Sequence, residues 1–334
     1  MRARTTAEGM RNLPLRAHPV VPELPVGIAL PDLAPWVEGN VLRGVWSFPA
    51  AAPGPHVVIT AAIHGNEIAG AVLLERWLCG GLRPRCGRLT LAFGNIDALL
   101  GFDPADPTAS RFIDEDLNRL WDPETLTSGR RSVELRRART LLPVIESADV
   151  VFDLHSMLWP SDPLLLVGQS RPAARLALGL GVPPLVVVDH GHLDGRRLID
   201  YPPLHAPGRM AMLIEAGGHW EPATIATMEA AATTLLRQLG MIGPQDPLLP
   251  PTPTSVRAAR FAEVTTTITA KTSGFVFLRP WRGGDVIEAR NTLIALDGER
   301  EIRTPHDDCL LVMPGLRALA GQTAVRLARF TPAP

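Results

Sequence analysis

The stretch VVITAAIHGNEIAGAVLLERWL, residues 57–78, passes from one structural period into another. Its first part is apolar and β-branched, the texture of a strand covered on both faces. It breaks at His64-Gly65-Asn66-Glu67 and resumes as an apolar helical pattern over 67–78. His64 ends the strand, Glu67 opens the helix, and Gly65 lies between them to let the backbone turn sharply. At the carboxyl ends of strands in an open α/β sheet, side chains face the crevice where ligands bind.

Similar apolar runs recur at 56–62 (HVVITAA), 88–94 (RLTLAFG), 150–155 (VVFDLH), 163–168 (PLLLVG), 184–189 (PLVVVD) and 211–217 (AMLIEAG). Residues 40–50 (NVLRGVWSFPA) read as an extra strand. Helical patterns lie at 132–148, with Pro143 as a kink or break, and at 222–240, ending in a C-capping Gly240. Strands alternating with helices predict an α/β layered fold with a mixed sheet flanked by helices. The expected division is a larger α/β domain over 1–242, loop-rich over 1–39, and a linker over 243–254, where five prolines fall in twelve residues. Residues 255–334 follow as a smaller all-β domain, because short β-rich runs and turn signals replace helical periodicity there.

The 334 residues are 46% hydrophobic and 20% charged, with a formal net charge of −1. That balance speaks against a nucleic-acid or anionic-membrane partner. No apolar run reaches the roughly 18 residues of a membrane span, and the start has no apolar signal-peptide core. A cytoplasmic protein is expected, with Cys79, Cys86 and Cys309 as reduced thiols. A homo-oligomer stays open. Lys271 is the only lysine, so an arginine at a site is less telling than usual.

Alone, His64-x-x-Glu67 reads as a solvated helix start. His155, ending a second buried strand, changes that, because two imidazoles and a carboxylate form a His₂Glu zinc site with a fourth position left for water. Asp153 is a candidate acceptor for an imidazole N–H. Glu215 ends another apolar strand, where a carboxylate is costly unless paired or functional. It is the candidate base. Residues 109–121 (ASRFIDEDLNRLW) hold Arg111, Asn118 and Arg119, which can polarise a carbonyl or grip a carboxylate.

HGNE, Arg111 seven residues ahead of Asn118-Arg119, DLH, and a strand-end Glu215 before Gly217-Gly218 resemble, in order, the succinylglutamate desuccinylase/aspartoacylase family of the zinc carboxypeptidase superfamily. The resemblance covers most of residues 40–240, and the β-rich tail matches the family's C-terminal domain. It implies a zinc-carboxypeptidase-like fold, one Zn²⁺ per chain on His64, Glu67 and His155, and Glu215 as general base and then proton donor. Arg111 would stabilise the oxyanion, and Asn118 and Arg119 would hold a substrate carboxylate. Relatives can reach the substrate with a tyrosine from the C-terminal region, and the tail here has none. Tyr201, Arg209, His219 and Trp220, near the catalytic strand in sequence, are candidate pocket residues. His190 and His192 could offer a second metal or pocket contact but read first as polar residues of a strand-end loop, and His306 is expected at the surface.

The expected reaction is hydrolysis of the amide of a small N-acylated amino acid or related compound. The competing readings are a metallocarboxypeptidase, a zinc esterase, and, in a different class, a non-catalytic zinc-dependent binding protein.

Overall fold

The computed structural model describes residues 25–334 except 193, 245, 247, 248 and 250–257. The first 24 residues and most of the expected linker therefore lie outside the described residues. Residues 25–39 carry no helix or strand.

Seven strands come from the first 242 residues: β1 (Val45–Pro49), β2 (Ala52–Ala61), β3 (Cys86–Phe93), β4 (Val150–Met157), β5 (Leu164–Val167), β6 (Leu185–Val188) and β7 (Met210–Gly218). Between them lie α1 (Ile68–Gly80), the short α2 (Ile96–Leu100) and α3 (Pro123–Thr127), α4 (Val133–Glu146), α5 (Arg171–Leu180) and α6 (Pro222–Gln238). The tail is all-β: β8 (Arg260–Thr269), β9 (Phe275–Phe277), β10 (Val286–Ile287), β11 (Leu293–Asp297), β12 (Arg300–Arg303), β13 (Cys309–Val312) and β14 (Thr323–Phe330). This is the expected mixed α/β fold with an all-β C-terminal part.

The large sheet has the order β1-β3-β2-β4-β7-β5-β6-β8-β14-β13-β10. β3, β2, β4 and β7 are mutually parallel, and β5 then runs antiparallel to β7. β8 pairs in parallel with β6, so four tail strands extend the same sheet. β12, β11 and β9 form a separate small antiparallel sheet.

Strand alternation sorts the core into two faces. Val57, Ile59 and Ala61 of β2, Phe152 and Leu154 of β4, and Met212 and Ile214 of β7 pack with α1, α5 and α6. Val58, Val151 and Leu213 point to the other face, which is covered by α4 and by tail residues such as Val264, Leu310 and Ala328. On that second face the strands turn polar toward their carboxyl ends, at Thr60, Asp153, His155 and Glu215. The apolar pattern is thus interrupted on one face only.

Two local expectations change. α4 runs through Pro143: the missing N–H forfeits a single intrahelical bond near the helix end, and the Pro143 carbonyl still accepts from Ser147 N–H. α5, not anticipated from sequence, is capped by Ser170, whose side chain accepts from Ala173 N–H.

Candidate active site

The turn between β2 and α1 is made at Ala62, which adopts φ +52°, while Gly65 has no left-handed φ. Gly65 serves instead as a point of close approach. A Cβ there would sit 2.4 Å from the Ser110 carbonyl and 2.5 Å from Ala98 C. Gly65 N–H also donates to Arg111 O, tying the HGNE turn to the Arg111 segment. Within α1, a Cβ at Gly70 would meet Ala61 Cβ at 2.9 Å and Leu154 Cβ at 3.2 Å, so the helix lies directly on β2 and β4. Glu67 makes no side-chain capping bond to its own helix. Its carboxylate is turned into the sheet edge.

There His64, Glu67 and His155 converge, all buried, with one ligand atom from each lying within 4.8 Å of the others. Glu67 Oε1 is 2.6 Å from His64 Nδ1, and Oε2 is 3.2 Å from His155 Nδ1 while accepting from Ser156 N–H at 2.9 Å. The opposite nitrogens face other carboxylates. His64 Nε2 lies 3.0 Å from Asp116 Oδ1 and His155 Nε2 lies 2.6 Å from Asp153 Oδ2. Thr60 Oγ1 donates to the other Asp153 oxygen at 2.5 Å. Each imidazole is therefore oriented to present Nδ1 to the centre, as metal-bound histidines are when a carboxylate takes the far N–H. Two imidazoles and a carboxylate, buried and so oriented, fit a zinc-type cation.

Burial opposes ionisation of Glu67, yet His64 and His155 hold its carboxyl well below the usual range. Burial likewise opposes a charged His155, but Asp153 and Glu67 raise it well above the imidazole range. Asp116 is pulled down against burial by His64, then Arg111 and Arg119.

Glu215 sits on β7 in register with His155 on β4. It is half-buried, and its enclosed Oε2 has no hydrogen-bond partner. Burial first, then Glu67, pushes its carboxyl up to about 8 against the opposing pull of His155, Arg111 and Arg326. Arg111, partly exposed, places Nη2 2.9 Å from His64 Nε2 and 3.1 Å from Asp116 Oδ2. Its loop is held by buried Glu134 of α4, whose carboxylate accepts from Ile113, Asp114 and Glu115 N–H and from Asn95 Nδ2. Asp116 also caps the next turn by accepting from Asn118 N–H at 2.8 Å.

A cavity of about 210 Å³ opens on this centre. His64, Glu67, His155, Glu215, Arg111, Asn118, Arg119 and His219 all line it. Asn118 is partly engaged, since its Oδ1 accepts from Leu198 N–H. His219 Nδ1 is 2.8 Å from Ser156 Oγ, and burial lowers its pKa to about 4.

Tyr201 and Arg209 are not brought to this cavity. The Tyr201 hydroxyl donates to Glu146 at 2.6 Å and its ring packs edge-on against Trp121 in the core, so closeness in sequence to β7 does not place it at the carboxyl end. Burial, with that hydrogen bond, pushes its pKa up to about 12. Arg209 precedes the amino end of β7 and lines a separate surface cavity. Trp220 turns away to donate to Asn66 O. His192 does line the active cavity, while His190 is exposed beside Gln169 and Glu263. His306 is buried, not at the surface, with Nε2 against Thr265 Oγ1 and Nδ1 against Asp307 O.

Asp116, Glu134 and Arg326 are site residues that sequence reasoning passed over. Asp116 lies between Arg111 and Asn118, in a run of acidic residues that reads as a solvated turn. Glu134 reads as an ordinary acidic first turn. Arg326 comes from the tail, and its approach depends on strand pairing.

Known proteins match the same parts of the chain. The succinylglutamate desuccinylase/aspartoacylase catalytic domain matches residues 53–241. A probable aspartoacylase of Parasynechococcus marenigrum is 33% identical over 137 residues, 38% of this chain and 44% of that protein. An N-acyl-aromatic-L-amino acid amidohydrolase of Xenopus laevis is 33% identical over 111 residues, 31% of this chain and 35% of that protein. These matches span less than half the length of either relative. The crystal structure of a Vibrio cholerae succinylglutamate desuccinylase covers 86% of both chains with a TM-score of 0.65 at 18% identity, a likeness of fold. The matched segment contains HGNE, the Arg111–Arg119 loop, DLH and Glu215 alike, and it takes in more than half the chain, which therefore belongs to the succinylglutamate desuccinylase/aspartoacylase family.

Proposed function

We propose that this chain is a zinc-dependent amidohydrolase that cleaves the amide bond of a small N-acyl amino acid. The observation that carries the reading is the buried His64–Glu67–His155 set with the unpartnered Glu215 carboxylate on the adjacent strand. A zinc ion held by His64 Nδ1, a Glu67 oxygen and His155 Nδ1 would supply Lewis acidity and lower the pKa of a bound water toward about 7.

The chain's own groups divide the remaining work. Glu215 takes the proton of the attacking water and returns it to the leaving amine, so the products are a carboxylate and a free amine. A carboxyl with a raised proton affinity suits a group that both accepts and donates near neutral pH. Arg111 donates N–H to the carbonyl oxygen as charge develops on it. Arg119 pairs with the substrate carboxylate, with Asn118 beside it. Met313 and Pro314 of the tail wall the cavity, which favours a small substrate over a polypeptide.

The test is Glu215→Gln, assayed on N-acetyl and N-succinyl amino acids alongside metal analysis. Turnover is expected to fall by about 10²-fold or more with zinc content unchanged. Full activity in the variant would overturn the assignment of the base.

A further inference from the structure

Arg326 lies on β14, in the C-terminal all-β part, yet it is buried and lines the catalytic cavity. Its Nε is 2.9 Å from Asp189 Oδ2, and Nη2 donates to His192 Nε2 at 2.7 Å. The 2.9 Å contact is an ion pair without hydrogen-bond geometry, since that Nε–H remains unsatisfied. Asp189 is shared: Arg197 Nη1 reaches the same Oδ2 at 2.7 Å and is also paired with Asp200. Arg119 forms no ion pair within 4 Å among the described residues, and its hydrogen bond runs from Nη1 to Asn118 O. Asp189 and Asp200 thus answer Arg197 and the Nε of Arg326, while the guanidiniums of Arg119 and Arg326 both line the one cavity. His192 adds no positive charge. Burial, then Arg326, Arg119 and Arg197, hold its imidazole far below the usual range, so it is a neutral acceptor.

The loop bearing Asp189, His192 and Arg197 is fixed to the Arg119 segment. Trp121 N–H donates to Arg196 O, and Leu198 N–H donates to Asn118 Oδ1. That second bond fixes the Asn118 amide, whose remaining N–H donors carry no charge. Guanidiniums bind carboxylates with charge-assisted bonds, and Arg119, with no ion pair among the described residues, lines the cavity together with Arg326.

We propose that Arg326, supplied by the C-terminal part, joins Arg119 in a two-guanidinium clamp for the carboxylate of the N-acyl amino acid and so sets a preference for free acids over neutral analogues. The inference rests on the hydrolase reading of the same site, but binding tests it separately from turnover. The zinc-loaded full chain, wild type and Arg326→Gln, would be titrated calorimetrically with N-acetyl-L-methionine and N-acetyl-L-leucine, each as free acid and as primary amide. The wild type is expected to bind the acids about tenfold or more tightly than the amides, and Arg326→Gln to lose most of that preference while amide binding stays within about twofold. Arg326→Lys, which keeps the charge against Asp189, should retain an intermediate preference, and it reads the same quantity if the Gln variant does not fold. Equal loss for acids and amides would mean a structural role only, and no acid preference in the wild type would also overturn the clamp. Intact acid preference without turnover would count against the hydrolase reading alone.

Discussion

Asp116 and Asp153 perform the same task for different imidazoles. Each accepts at Nε2, which fixes Nδ1 as the nitrogen available at the centre. They differ in origin. Asp153 lies two residues before His155 on the same strand and face, so its role is readable from alternation once His155 is suspected. Asp116 comes from a loop 52 residues beyond His64, and only the Glu134 anchor and the Gly65–Arg111 hydrogen bond bring it in. Asp116→Asn removes the charge and keeps the shape. Zinc affinity, measured by chelator competition, is expected to weaken by about 10- to 100-fold. An unchanged affinity would show that His64 is oriented by something else.

Among the elements, β2, β4 and β7 frame the candidate site because each exchanges apolar residues for polar ones at the carboxyl end of the same face. That pattern is legible at His155 and Glu215, whereas His64 and Glu67 lie in the turn beyond β2 and are read from the break into α1. The α1 turn was legible only in outline. Its sharp bend belongs to Ala62, and Gly65 is required by the backbone of Ser110 and Ala98 across the turn, a contact that local sequence does not encode. Gly65→Ala should therefore destabilise the protein by about 1–3 kcal/mol in urea denaturation, through overpacking. A change below about 0.5 kcal/mol would mean that the two segments yield without cost.

Across the whole molecule, the all-β texture of the tail was plain in the sequence, but its pairing was not. β8 adds in parallel to β6, a long-range choice that no local pattern fixes. That pairing places β14, and with it Arg326, at the catalytic cavity, while Met313 and Pro314 close one side. The same blindness explains Tyr201, which is near β7 in sequence but packed at Trp121 and Glu146. Among the described residues no helix is long and apolar enough to cross a membrane.

On the proposed reading, one zinc ion on His64, Glu67 and His155 makes the chain an amide hydrolase. The most direct measurement strips the protein with chelator, returns zinc in steps, and follows bound metal by mass spectrometry together with hydrolysis of N-acyl amino acids, for wild type and His155→Ala. Activity is expected to rise in proportion to zinc and to level off at one ion per chain, with both lost in the variant. Full activity in zinc-free protein, or unchanged zinc binding and turnover in His155→Ala, would contradict the account.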